Sequence, residues 1–586
     1  MYNTKWSLDA LYKGFDHPKF KEDYENLPKE IAKITDFAKN NFGDTSNPGQ
    51  KMEEYVEICN GFSAYYNLLS FASLTLEANT QDAEALKIMD SVEQELTALV
   101  LPNTMFKKFL TEIENFEEIV ESSPLLKEHS FVLNEIKEEA HHMLSQEEEM
   151  VLAKLRLTGS GAWSTLYGQL TSTLEVELNR EGEDKKLPLS AARNLAYEKD
   201  LYLRKTAYFA ELNAYPKIEK ALSMAISSIK GESTEIATMR KYDSVLDMTL
   251  KSSRMDRTTL DALIGAMEES LPIFRKYFKH KAKILGHKEG LPFYDLFAPV
   301  GRADMTFTKE EAADFVVKNF TAFSQDMGDF TKMAFEKSWV DWEPRENKVG
   351  GAFCANLHNI KESRVLMNFS GSFDNVLTLA HEFGHAYHGD ALKDASYLNS
   401  DYSMPIAEVA SIFCETLVCH AALKEANKDE KLAILENNLQ GMSQVIVDIY
   451  SRYLFETEVI KRRTKGSLTS EELKEIMLDS QKTAYGDGLS SYHPYMWACK
   501  PHYYFADANF YNFPYAYGLL FAKGLFAIYL KDPGFADRYK SLLTATGQNS
   551  LADVGKIVDI DVRDKKFWQG AVGMIEKDVD EFIGLL

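Results

Sequence analysis

Leu379-Ala-His381-Glu382-Phe383-Gly384-His385-Ala-Tyr387-His388 is the stretch on which the fold of this chain turns. On an α-helix, residues four apart lie one turn apart on the same face, so both imidazoles of His381 and His385 can reach one metal ion. Glu382 lies about 100° further round the helix, where its carboxylate can flank the metal and hold a water. Val376, Leu379, Ala380, Phe383 and Tyr387 gather on the opposite side. That pattern predicts a buried helix presenting one polar stripe to a cavity. Ser372 or Asp374 can cap its start. His388 shares the polar stripe and is a candidate substrate contact, ligand-orienting donor or packed histidine. Gly384 costs about 1 kcal/mol relative to Ala inside a helix, which another backbone passing close by would justify.

Working outward, a zinc site needs a third protein ligand and an open fourth position. The spacing HExxHxxGxxH is absent, because His388 and Ala391 occupy the Gly and His positions. A carboxylate on a later helix is the other solution. Glu408 fits, in Met404-Pro-Ile-Ala-Glu408-Val-Ala-Ser411-Ile-Phe-Cys-Glu415. Pro405 suits a first helical turn. Glu408, Ser411 and Glu415 share one face, while Val409, Ile412 and Phe413 turn toward a core. Glu415 can orient a ligand His through its free ring nitrogen. Asp390 and Asp401 are weaker alternatives. Just upstream, 349–354 and 364–369 read as short strands with a polar turn at 356–363. This places a small antiparallel sheet beside the zinc helix.

The rest of the chain reads as helix. Apolar residues recur at helical spacing over 20–39, 52–76, 83–116 and 147–157, and Gly and Pro number only 31 and 16. One further break, 158–187, starts at the Gly/Ser cluster Thr158-Gly-Ser-Gly161, continues through an alternating segment at 171–178 and turns at 181–184. It reads as a β excursion. The expected division is an N-terminal helical region, 1–187, and a catalytic region, 188–586. The expected fold is mainly α, with two helical lobes and a small antiparallel sheet beside the HExxH helix.

The 586 residues carry a net charge of -23, which argues against nucleic acid as a partner, since phosphate binding needs Lys and Arg in excess. No apolar leader and no long uncharged apolar run are evident, so no membrane partner is expected and the cytoplasm is the expected compartment. Five scattered cysteines with no CxxC pair fit a reducing environment.

A second constellation follows. Tyr485-Gly486-Asp-Gly488 precedes Tyr492-His493, then Lys500-Pro-His502, then Phe510-Tyr511-Asn-Phe-Pro-Tyr515-Ala-Tyr517. Tyrosine this dense is either an aromatic core or a set of donors that stabilise an oxyanion. Gly486 and Gly488 would let a loop close over substrate.

Taken together, His381-Glu-Phe-Gly-His385, Glu408-Val-Ala-Ser411 and Phe510-Tyr-Asn-Phe-Pro-Tyr515 resemble the thimet oligopeptidase and oligoendopeptidase F family of zinc peptidases, the oligoendopeptidase F branch in particular. The resemblance implies one Zn2+ held by His381, His385 and Glu408, and Glu382 as general base. It implies Tyr511 and Tyr515 as substrate or transition-state contacts, with His502 as companion histidine and His493 as its substitute. It also implies short peptides as substrates, cut internally in a deep channel between the two helical lobes, with the 349–354 strand, at Ala352 and Phe353, or the 364–369 strand pairing with substrate backbone. A helical zinc carboxypeptidase and a non-catalytic peptide-binding protein are the competing readings.

Overall fold

The computed structural model describes residues 2–180, 183–301 and 305–586. The chain is mainly α and divides into two compact units, each assembled from three separate segments. The first comprises Met1–Met143, Met305–Ala421 and Ile528–Ile560; the second comprises Leu144–Asp304, Ala422–Ala527 and Asp561–Leu586. The expected division after residue 187 falls inside a strand of the second unit.

In the first unit the N-terminal helices pack through aromatic rings. Phe42 lies 5.1 Å from Tyr55 and 4.9 Å from Phe109, centroid to centroid. The long helical runs read from the sequence are interrupted. A 3-10 turn at Ser63–Tyr65 separates Pro48–Phe62 from Tyr66–Ala78, where the Ser63 hydroxyl bonds the Asn60 carbonyl. A second turn, Thr97–Leu99, precedes Val100–Thr111; Pro102 has no N–H to continue the helical ladder there.

The second unit holds β1 (Glu175–Arg180) and β2 (Glu183–Pro188), an antiparallel hairpin whose Leu178 packs on Leu203 and Ala207. Residues 181–182 of the expected turn lie outside the described residues. The β excursion is shorter than its sequence reading: Ser160–Ser172 is helix. The Gly/Ser cluster marks a junction between two helices. A Cβ on Gly159 would come within 2.7 Å of the Glu232 carboxylate, so glycine permits that crossing.

The first unit also holds β3 (Val340–Asp341), β4 (Phe353–Leu357) and β5 (Glu362–Leu366), ordered β3-β5-β4. The β4/β5 pair is antiparallel with Cys354 opposite Val365, while β3 runs parallel to β5. The sheet is therefore present but mixed, and β4 starts later than expected. Gly351 takes φ +83, a left-handed turn that delays the strand, and the reversal tightens to His358–Ile360 with Lys361 at φ 54. Against this sheet packs α1 (Phe373–Leu392), followed by α2 (Met404–Glu425). Among the described residues α2 is the one helix long and apolar enough to cross a membrane, with mean hydropathy 1.6; 61% of that window is buried and the helix carries Glu408 and Glu415.

Candidate metal and catalytic centre

Helix α1 begins at Ser372, whose hydroxyl accepts from the Asn375 N–H, so the cap is Ser372 and not Asp374. Val376, Leu379, Ala380, Phe383 and Ala386 have no exposed surface, and Tyr387 keeps 2%. That apolar flank fixes the roll of the helix and leaves His381 and His385 on its open side, 23% and 17% exposed. Helix α2 crosses at Gly384. A Cβ there would meet the Ala410 carbonyl oxygen and the Ser411 Cα, each at 2.5 Å. The missing side chain lets the two backbones touch and brings Glu408 over the histidine pair.

The result is a compact donor set. His381 Nε2 lies 3.2 Å from His385 Nε2 and 3.4 Å from Glu408 Oε2; His385 Nε2 lies 3.7 Å from the same oxygen. Donors about 2.0–2.1 Å from a tetrahedral zinc sit roughly 3.3 Å apart, so the spacing fits such an ion. The His381 ring is turned by its other nitrogen. His381 Nδ1 donates to Glu415 Oε1 at 2.5 Å, and His385 bonds the Ala407 backbone carbonyl. Ser411 Oγ holds Glu408 Oε2 at 3.0 Å. Asp390 is committed to Lys393 at 2.7 Å and Lys540 at 3.4 Å, and neither it nor Asp401 joins the cluster.

Electrostatics separate the acids and bases. Burial, reinforced by Glu408 and Glu415 and opposed by His381, raises the Glu382 carboxyl to about 7. Burial lowers His381, but the hydrogen bond and charge of Glu415 outweigh it and hold it at about 9. His385 falls to about 4, through burial and then the charge on His381. Two neighbours were not foreseen. Asn356 Nδ2 reaches the His385 carbonyl at 3.3 Å, and burial raises the Cys354 thiol, which also feels the Glu382 charge. Both sit on one face of β4, a pairing visible only once its register is known.

A model of peptidase family M3 matches residues 194–574, and a model described as oligopeptidase F matches residues 111–175. The chain belongs to peptidase family M3. This M3 peptidase is 26% identical to the group B oligopeptidase PepB of Streptococcus agalactiae over 96% of this chain and 95% of that one. It is 27% identical to oligopeptidase PepF of Bacillus subtilis, across 81% of this chain and 72% of that one. The crystal structure of oligoendopeptidase-F from Enterococcus faecium shares the fold, with a TM-score of 0.70 at 18% identity, covering 97% of this chain and 98% of that one.

Other expected contacts of the M3 peptidase distribute differently. His388 is fully buried, bonded through Nε2 to Thr546 Oγ1 at 2.7 Å and stacked on Tyr402 at 4.0 Å. No surface of it is open in this structure, and burial lowers its pKa to about 3. In the second unit His493 is 1% exposed and faces Glu211 Oε1 at 3.2 Å, with its backbone held on both sides by Gln481. It too is enclosed. Gly486 (φ +51) ends the Ser470–Tyr485 helix, and a Cβ there would strike Arg275 at 2.5 Å; Gly488 packs on Phe278. Both glycines are closely packed in this structure. His502 is 6% exposed and lowered to about 2 by burial and then Arg452, with Nε2 unbonded. Tyr511 and Tyr515 are half-buried, and the Tyr515 hydroxyl donates to the Tyr511 oxygen at 3.1 Å. Phe510, at φ 52, turns the chain into Tyr511 through a conformation that bulky residues avoid. In the first unit Phe353 opens β4 and packs on Trp6 at 6.3 Å, while Ala352 precedes the strand. One edge of β4 pairs with β5. A groove of about 320 Å³ separates the strand from Leu69, Ser73 and Glu77.

Proposed function

We propose that this M3 peptidase is a zinc-dependent endopeptidase of short peptides, with His381, His385 and Glu408 as the metal ligands. The observation that carries this reading is the set of donor separations, 3.2, 3.4 and 3.7 Å, with the His381 ring fixed from behind by Glu415. Zinc, when bound, supplies Lewis acidity toward a water and a peptide carbonyl. Glu382, next to the ligand His381 on the same helix, takes the water's proton and delivers it to the leaving amine. Glu415 keeps His381 in the tautomer whose Nε2 lone pair faces the cluster. The family resemblance assigns Tyr511 and Tyr515 as hydrogen-bond donors to the developing oxyanion, with His502 as their companion. The pair's partial exposure and mutual hydrogen bond support that role. The unpaired edge of β4, from Phe353 onward, takes the substrate backbone as an added strand. Relatives named oligopeptidases support short substrates. Five free thiols support a reducing compartment such as the cytoplasm.

The test is cleavage of a quenched peptide blocked at both ends. The wild type cuts it, a chelator stops it, and Glu382→Gln keeps zinc while losing at least about a hundredfold in turnover. Release of C-terminal residues alone, from unblocked peptides only, would identify a carboxypeptidase. Full activity in Glu382→Gln would reject the assignment of the base.

A further inference from the structure

A chain carrying -23 overall concentrates positive charge in one place in its second unit. The end of the helix Arg257–Ile284 and the loop through Gly290 enclose, with Asp487, a cleft of about 570 Å³. Arg275, Lys276, Lys279, Lys283 and Lys288 line it. Three carboxylates answer these five cations: Asp580 on Lys276 at 2.6 Å, Asp487 on Lys279, and Glu289 in the wall. An excess of two positive charges remains. The negative pole of the helix end offsets only about half a charge.

The excess rests on identifiable groups. Lys283 and Lys288 are exposed and have no hydrogen-bond or ion-pair partner among the described residues. Arg275 is pre-positioned, its guanidinium donating through one terminal nitrogen to the Thr483 carbonyl at 2.7 Å and the Ala484 carbonyl at 3.3 Å, with its Nε–H buried against Gly486. Glycine at 486 makes room for it, as a Cβ there would lie 2.5 Å from Nε. His280 also lines the cleft, tied through Nδ1 to the Lys276 carbonyl at 2.8 Å.

We infer that this cleft binds a small phosphate monoester. A phosphomonoester carries about -1.5 to -2 at pH 7 and so matches the excess. A fixed guanidinium beside mobile ammonium groups is the donor set phosphate oxygens take. The volume falls within the roughly 300–1,000 Å³ of small-ligand pockets and is too small for the several nucleotides of a nucleic-acid groove. The site is independent of the peptidase reading.

Isothermal titration calorimetry on the metal-loaded full chain at low salt tests this, with phenyl phosphate, AMP, inorganic phosphate and an acidic tetrapeptide as probes. Saturable binding of the phosphates is expected, weakening as salt is added. The double variant Lys283→Glu/Lys288→Glu should weaken it by at least about tenfold while leaving peptide turnover without phosphate unchanged. AMP or phenyl phosphate binding tighter than inorganic phosphate supports an organic ester as the ligand; the reverse order marks free phosphate and overturns the assignment to an ester. No saturable phosphate binding, equal affinity in the double variant, or equally tight binding of the acidic peptide would each overturn the inference.

Discussion

Replacing Glu415 probes the metal centre without removing a ligand. Its carboxylate accepts the His381 Nδ1–H at 2.5 Å and is itself 39% exposed, so removing it empties little buried volume. The loss falls instead on the orientation and basicity of the His381 ring. Without an acceptor, the Nδ1–H tautomer loses its preference over the Nε2–H form, which has no lone pair to offer the cation. Loss of such an orienting carboxylate typically costs 10–100-fold in metal affinity, about 1.4–2.7 kcal/mol. Glu415→Ala should fall in that range; Glu415→Gln, which keeps an oxygen acceptor but not the charge, should fall less. Competition against a fluorescent chelator reads the zinc dissociation constant directly, and a melting curve recorded without metal checks the fold. Unchanged zinc affinity in Glu415→Ala, or a larger loss in Glu415→Gln than in Glu415→Ala, would refute the reasoning.

Other outcomes follow from neighbouring geometry. Gly384→Ala should destabilise the fold by about 1–3 kcal/mol and weaken zinc binding as well, because its methyl must displace the α2 backbone that carries Glu408; calorimetry and metal titration read the two effects. His388→Ala should lower the melting temperature, with a cost of about 1–3 kcal/mol, yet leave KM near wild type, since the ring is sealed against Tyr402 and Thr546. The same residue sets a pH dependence. Its folded pKa of about 3 lies below its unfolded value of 6.5, so the unfolded chain binds the proton that the folded one refuses. Stability from this group is complete above pH 6.5 and falls by up to about 1.4 kcal/mol per pH unit from there toward pH 3; denaturation at stepped pH should show a shallower decline for His388→Phe.

Much of the centre was legible because it is local. His381, Glu382 and His385 are set by helical periodicity alone, and the apolar flank from Val376 to Tyr387 fixes which way they face. Glu408 was legible one step further, from a face shared with Ser411 and Glu415. Gly384, an unexplained cost in the sequence, proved to be the helix crossing that makes the cluster possible. What failed to read depends on contacts distant in sequence. The start of β4 is decided by a left-handed turn at Gly351, and the Gly159 cluster reads like a loop because nothing nearby announces Glu232 packing against it. His388 and His493 look like site residues in any motif; only Thr546 and Glu211, each more than 150 residues away, mark them as core. The interleaving of three segments in each unit has no local signature at all.

Anomalous diffraction at the zinc edge tests the account most directly. One peak per chain is expected, about 2.0–2.2 Å from His381 Nε2, His385 Nε2 and one Glu408 oxygen. A peak elsewhere with those three side chains uncoordinated, or no peak from active protein, would contradict it.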